Sequence, residues 1–294
     1  MTQAIGAVTE LWRFPVKSMA GERLEAAELT ANGVLGDRAY ALIDVETGKV
    51  VSAKSVANFP GMMDCGAAFI EPPRPGREVP PVRITLPNGK SLASNAPGAE
   101  DDLSAHFGRQ VKLARVAPEH FTIDQYHADV EGVDPAHRNK TVEQKLGAAY
   151  FKSAGLASPV AEGSLFDLFP LSVMTMSTLR RLGELQPQSR FDRRRFRMNI
   201  IVETPEQGFV ENGWVGKALG VGAQVKLAVA VPDARCVMTT LAQGDLPQDS
   251  EIIRTLMMHN RLELPGGRRY PCAGVYVVVA APGHLRIGDP VTLT

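Results

Sequence analysis

Apolar and polar residues along this 294-residue chain alternate with the two-residue period of strands far more often than with the 3.6-residue period of helices. "AYALIDVETGKVVSAK" predicts a hairpin around Thr47-Gly48. "VRITLPNGKSLAS" predicts a second around Asn88-Gly89, a dipeptide that accepts the positive φ of a tight turn. Toward the C-terminus, "AQVKLAVAV", "GVYVVVAA" and "GDPVTL" are β-branched runs cut by Gly and Pro, which fits a barrel or another closed β core better than a helix bundle. Regular strand-helix-strand alternation is missing. The expected fold class is therefore mostly β, a β-barrel with α+β elements.

Helical signals are few and short. "EDDLSAHF" begins with acids that suit a helix N-terminus, and "STLRRLGEL" sets Leu179, Leu182 and Leu185 on one side behind Ser177 as the expected cap. "IEPPRPGREVPP" reads as extended backbone. "DPAHRNKTVEQKLGAAYFKSAGLASPVAEG", polar and low in strand character, reads as a mobile surface excursion, which puts a domain boundary near 118–150.

Composition narrows the function classes. Lys plus Arg number 32 and Asp plus Glu 32, a formal net charge of +0, which argues against general affinity for nucleic acid or acidic membranes and leaves any anion to be held locally. The N-terminus "MTQAIGAVTELWRF" lacks the basic-then-apolar pattern of a leader, and no apolar run approaches the ~18 residues of a membrane helix, so a cytoplasmic protein without a membrane partner is expected. The three cysteines show no CxxC spacing, which disfavours zinc ribbons and disulfide scaffolds and falls short of an all-cysteine iron–sulfur cluster. Electrons, where the chemistry needs them, come from a partner.

Several residues offer chemistry. Cys236 in "DARCVMTTLAQG" reads on its chemistry alone first as a buried core thiol, with nucleophile and metal ligand as the alternatives; extended backbone puts it on one face with Met238 and Thr240, and Arg235 favours thiolate where the local fold brings its charge close. Cys65 and Cys272 read as structural. "RFDRRRFRMNIIV", taken as a strand, lines Arg193, Arg195, Arg197 and Asn199 along one face, either a phosphate-binding strip or a solvated surface. Lys17 and Ser18 in "FPVKSMAGERL", with Arg38 in "GVLGDRAYALI", suit an anion, but no GxxxxGK[ST] implies a nucleoside triphosphate. His120, His127 and His137 do not match HExxH, and GxSxG is absent. Tyr276 by itself reads as a core tyrosine.

Taken in order, "LWRFPVKSMAGERL", "LGDRAYALID", "FRMNIIV", "RCVMTT" and "GVYVVVAAPGHLRIGDPVTL" resemble the MOSC family, in particular members with an N-terminal MOSC β-barrel domain, such as the amidoxime-reducing components. The resemblance implies a MOSC N-terminal domain over 1–118 and a MOSC domain over 119–294, with about 1–38 packing on the catalytic barrel. It implies a molybdenum cofactor (Mo-molybdopterin) with Cys236 as the protein thiolate to molybdenum, which is also the residue expected to be catalytic. Lys17, Ser18, Arg38, Arg197 and Asn199 are implied to contact the pterin and its phosphate, and Tyr276 to lie close by. The implied activity is reduction of N-hydroxylated small molecules (amidoximes, hydroxylamines, hydroxylated bases), fed by an external electron-transfer protein and an NAD(P)H reductase. The alternative is a cofactor-binding or persulfide carrier without reductase activity. Met198 replaces the Pro of the family's FRPNI segment, Ala234 stands where some relatives place a serine, and "SLFDLFPLSVMTMS" aligns poorly, so no contact is carried onto that stretch.

Overall fold

A computed structural model describes residues 3–132 and 136–294. The C-terminal β-branched runs close on themselves. Gln3–Arg13 (β1), Leu171–Thr175 (β2), Ile200–Glu203 (β3), Ala218–Val221 (β4), Val225–Ala234 (β5), Arg269–Ala281 (β6) and Pro290–Leu293 (β7) pair in the order β2-β3-β1-β7-β4-β5-β6, and β6 returns to β2. The expected mostly-β class with a closed barrel is what forms. Val173, Ile200, Val202, Leu227, Val229, Val275 and Val277 fill the interior from alternate positions, as period-two patterning requires.

The first strand completes this barrel, although some 160 residues of chain separate it from β2: Val8 lies opposite Val202, Leu11 opposite Ile200, and Gln3 opposite Leu293. Its exit therefore delivers the segment from Phe14 onward to one end of the barrel.

Between β1 and β2 the chain builds a second lobe. Ala41–Asp44 pairs with Val111–Ala114, and Gly66–Phe69, Val82–Thr85 and Ser91–Ala93 form a meander. Leu42, Met62, Ile84 and Leu103 form its core, Leu103 coming from the helix Ala99–Phe107 (α1). The hairpin at Asn88-Gly89 is present, with Leu86 N donating to Lys90 O at 2.8 Å. The turn at Thr47-Gly48 forms too: Asp44 N donates to Lys49 O at 3.0 Å and Val51 N to Leu42 O at 2.8 Å, with Val50 opposite Ile43. On its other side the return leg meets the next segment, where Val50 N donates to Thr122 O and Lys54 O accepts from Tyr126 N.

Three expectations change. The excursion contains the strand Lys140–Lys145, paired with Thr122–His127, and the helix Gly147–Ser153 (α2); Asp134 and Pro135 at its head lie outside the described residues. Its polar alternation belongs to an open hairpin, in which Ile123 packs with Val50 and Leu165. The helix Met176–Leu185 (α3) is capped by Thr175, whose Oγ1 accepts from Thr178 N, so Ser177 is inside the first turn rather than the cap. The helix Glu251–His259 (α4), with Ile252, Ile253 and Leu256 buried, was not anticipated. Among the described residues no helix is long and apolar enough to cross a membrane.

Candidate functional site

β5 ends at Ala234, and Cys236 opens a 3-10 turn over Val237–Thr240 in which Thr239 donates to Cys236 O through both its N (3.2 Å) and its Oγ1 (3.0 Å). Cys236 therefore does not share a strand face with Met238 and Thr240. Of the three thiols, Cys65 and Cys272 are fully buried, and burial pushes them up to about 11 and about 12; Cys236 is half-exposed.

The arginine strip does not form. Asp192 accepts from Arg194 N, the chain makes a 3-10 turn at Arg193–Arg195, and the strand begins only at Ile200. The side chains scatter: Arg193 pairs with Glu10 at 2.6 Å, while Arg195 is fully buried. Arg195 donates to the carbonyls of Arg190, Thr239, Leu241 and Pro247, and so ties down the turn that follows Cys236. Arg197 turns to the opposite side and donates to Met19 O at 2.7 Å.

Lys17, Ser18 and Arg38 meet because two segments run together: Arg38 N donates to Phe14 O, Tyr40 N to Pro15 O, and Lys17 N to Tyr40 O, all at 2.8–2.9 Å. Ser18, Arg38 and Arg197 have φ of 66°, 48° and 55°, in the left-handed region; apart from Asn139, no other described non-glycine residue does so. Such backbone costs on the order of 1–3 kcal/mol per residue and persists where the surroundings over-determine it. Asp37 is one such determinant, buried and bound to Phe14 N (2.7 Å), to Arg38, and to Asn199 Nδ2 (2.9 Å). Asn199 also donates to Trp12 O and accepts from Ser172, so its amide braces the barrel end from behind Asp37.

Charge is concentrated here and incompletely balanced. Lys17 and Lys54 both clasp Asp167 (Lys54 at 2.6 Å), and Arg235 pairs with Asp233. Burial pulls Lys17 down to about 8, with Asp167 opposing, and pulls Arg197 down to about 9, with Arg38 adding repulsion. Burial also disfavours Lys54, but Asp167 and the nearby Cys236 outweigh it and raise the ammonium. Burial opposes ionisation of Asp167, yet the two lysines hold its carboxyl well below the usual range. Asp233 is pushed up to about 6 by burial against the pull of Arg235, and faces the Tyr276 phenol, itself raised by burial and stacked on Phe169 at 4.9 Å.

Lys17, Lys54, Arg38, Arg197 and Arg235 thus outnumber Asp37, Asp167 and Asp233, and among the described residues Arg235 Nε is buried without a hydrogen-bond partner. The surplus suits an anion carrying two charges. Also among the described residues, no group of three or more His, Cys, Asp and Glu side chains stands ready to hold a bare metal ion, so a metal at Cys236 has to arrive with ligands of its own. A thiophilic metal carried by a phosphate-bearing organic ligand fits both features. Two surface hollows, about 290 Å³ beside Arg109 and about 480 Å³ beside His259, are lined by none of these residues.

Sequence reasoning missed Lys54, Asp167, Asp37 and Asp233. For two of them a signal existed: Lys54 is a lone charge in "VVSAKSVANF" and Asp167 a lone charge in "SLFDLFP", and an isolated charge in an apolar run has to find a partner.

Residues 5–117 match the MOSC N-terminal beta barrel domain and residues 163–292 the MOSC domain. The chain is 26% identical over 306 residues to mitochondrial amidoxime reducing component 2 of Homo sapiens, covering 98% of this chain and 84% of that protein. It is 23% identical over 320 residues to mitochondrial amidoxime-reducing component 1 of Homo sapiens, covering 100% and 84%. The crystal structure of the YUAD protein from Bacillus subtilis aligns with a TM-score of 0.43 at 11% identity, covering 100% of this chain and 96% of that one. With both domains matched in order around a common charged site, the chain belongs to the MOSC family, in the branch with an N-terminal MOSC β-barrel domain.

Proposed function

We propose that this chain is a molybdenum-cofactor-dependent reductase of N-hydroxylated compounds such as amidoximes, hydroxylamines and hydroxylated bases. One observation carries the reading: the half-exposed Cys236 adjoins a buried cation cluster drawn from both lobes and short of carboxylates. The names of the relatives, amidoxime reducing components, supply the substrate class.

In this reading Cys236 is a permanent thiolate ligand to the metal, and the 3-10 turn locked by Arg195 fixes where its sulfur points. Lys17, Arg38 and Arg197 take the phosphate, with Ser18 and Tyr276 beside the pterin. Asn199 acts through Asp37, whose carboxylate also holds the Arg38 guanidinium. When bound, the molybdenum centre supplies a two-electron reduction that replaces N–OH by N–H and yields water. Asp167, clasped between two ammonium groups, stays ionised at neutral pH and accepts hydrogen bonds rather than donating a proton. Electrons come from an external haem or iron–sulfur protein served by an NAD(P)H reductase.

The test is metal analysis and turnover on gently purified protein expressed with adequate molybdate. Stoichiometric molybdenum, lost in Cys236→Ala, together with anaerobic conversion of benzamidoxime by a chemical reductant, is the expected result. Full molybdenum occupancy without conversion rejects the substrate class. Sulfane sulfur on a molybdenum-free protein replaces the reading with the persulfide carrier.

A further inference from the structure

Phe14 carries more of the site than its apolar character suggests. The Arg38 and Arg197 guanidiniums both lie over its ring, with their Cζ atoms 4.6 Å and 4.3 Å from the centroid. The ring is 4% exposed and rests against Gly21, where a Cβ would stand 2.5 Å from Phe14 Cδ1, so its seat exists because position 21 has no side chain.

Holding two like charges together beside a site normally calls for carboxylates, which also cancel the charge that an anionic ligand needs. Here the restraint is largely neutral. Arg197 makes no ion pair among the described residues; its partners are the Phe14 ring and the carbonyl of Met19. Arg38 has Asp37, but Asp37 is shared with Phe14 N and Asn199. An aromatic face attracts a cation through its quadrupole and leaves the full positive charge in place. Both arginines also hold left-handed backbone, which fixes the direction from which each side chain approaches the ring.

We propose that Phe14 is a positioning residue, a neutral π platform that holds Arg197 beside the Asp37-paired Arg38 and leaves the Arg197 charge uncancelled, so that the two guanidiniums take the anionic group of the ligand anchored at Cys236. This rests on the reading that the site accepts a phosphate-bearing cofactor. It adds a group that touches neither metal nor substrate.

Replacing Phe14 with phenylalanines of increasing ring fluorination drains the negative charge of the ring face while nearly keeping its size. The readouts are calorimetric binding of inorganic pyrophosphate to the cofactor-free full-length chain and molybdenum retained by the loaded protein. Pyrophosphate binding is expected to weaken stepwise, by about tenfold across the series, with molybdenum retention falling in the same order. The 4-fluoro variant alone, one atom different, gives the sign where a heavily fluorinated ring fails to fold. Unchanged affinity across the series, with binding abolished by Arg197→Met, overturns the platform and leaves the cofactor reading standing. A wild-type chain that ignores pyrophosphate and retains no molybdenum when expressed with adequate molybdate overturns both; an Arg197→Met variant that keeps all its molybdenum overturns the platform alone.

Discussion

Filling the charged site with an anion should make the protein take up a proton at mildly alkaline pH, and the amount follows from Lys17. In the empty site burial holds this ammonium at about 8 against an ordinary value of 10.5. At pH 8.5 roughly a quarter of the Lys17 side chains are then protonated. An anion bound beside Lys17 offsets the cost of burying its charge and returns the group toward its ordinary range, where nearly all are protonated. Through Lys17 the difference is about 0.75 proton per anion at pH 8.5, falling to about zero at pH 6, where this ammonium is charged in both states and any uptake left belongs to Asp233, at about 6. Sulfate suits the measurement because it does not titrate in this range. Calorimetric titration in buffers of different ionisation enthalpy reads the uptake directly, as the slope of observed heat against buffer enthalpy. The same shift has a stability sign: the folded value lies below the unfolded one, so through Lys17 the empty protein gains stability as pH rises from about 8 to 10.5. Sulfate that binds with identical heats in every buffer at pH 8.5 would refute the placement of Lys17 at the anion.

Other consequences concern folding and the site's frame. Arg195→Met leaves the carbonyls of Thr239, Leu241 and Pro247 without their buried donor; a loss of about 3–5 kcal/mol is expected in urea unfolding, with reduced molybdenum retention from the loosened cysteine turn. Gly274→Ala puts a Cβ 2.3 Å from Met198 Cε and 2.8 Å from Val173 O, at φ +80°, where β6 meets β2; a loss of at least about 2 kcal/mol is expected, with a lower melting temperature and no change in pyrophosphate affinity among molecules that fold. Asp167→Asn removes the carboxylate that opposes the burial cost of Lys17 and Lys54, pulls Lys17 further down and should cost about 3 kcal/mol. Because its folded pKa is depressed, the carboxylate's contribution is present above its unfolded value near 3.8 and lost as pH falls further, so the gap between wild type and variant should shrink as pH falls below about 3.8; a gap that keeps growing there refutes the clasp.

What the sequence made legible follows the range of the interactions involved. The C-terminal barrel strands β5, β6 and β7 declared themselves as β-branched runs with one face forced inward, whereas β2, in "PLSVMTMS", did not. The motif residues Lys17, Ser18, Arg38, Arg197 and Tyr276 were visible as types, yet their meeting depends on β1 pairing with β3 and β7, strands that follow it by nearly 200 and nearly 300 positions. The arginine strip misled because strand periodicity was assumed through Asp192, whose side chain caps a 3-10 turn and breaks the alternation before Ile200. Lys54 was visible as an isolated charge but not as a member of the site, because its place depends on the return leg after Val50 joining the segment at Thr122–Tyr126, some 70 residues away.

The choice of a mostly neutral frame for the cations has an energetic consequence. Burying Lys17 and Arg197 costs free energy that the available carboxylates offset only in part, and left-handed backbone at Ser18, Arg38 and Arg197 adds to it. The barrel and lobe cores have to carry that cost while the site holds no anion, and a ligand that supplies the missing negative charge returns it as binding energy. Stability and occupancy are then linked, since anything that binds only the folded chain stabilises it by RT ln(1 + [L]/Kd). A residue that helped the empty protein by neutralising Arg197, such as a glutamate in place of Phe14, would weaken ligand binding in proportion. The ring is the better solution because it orients the guanidinium and leaves its charge for the ligand.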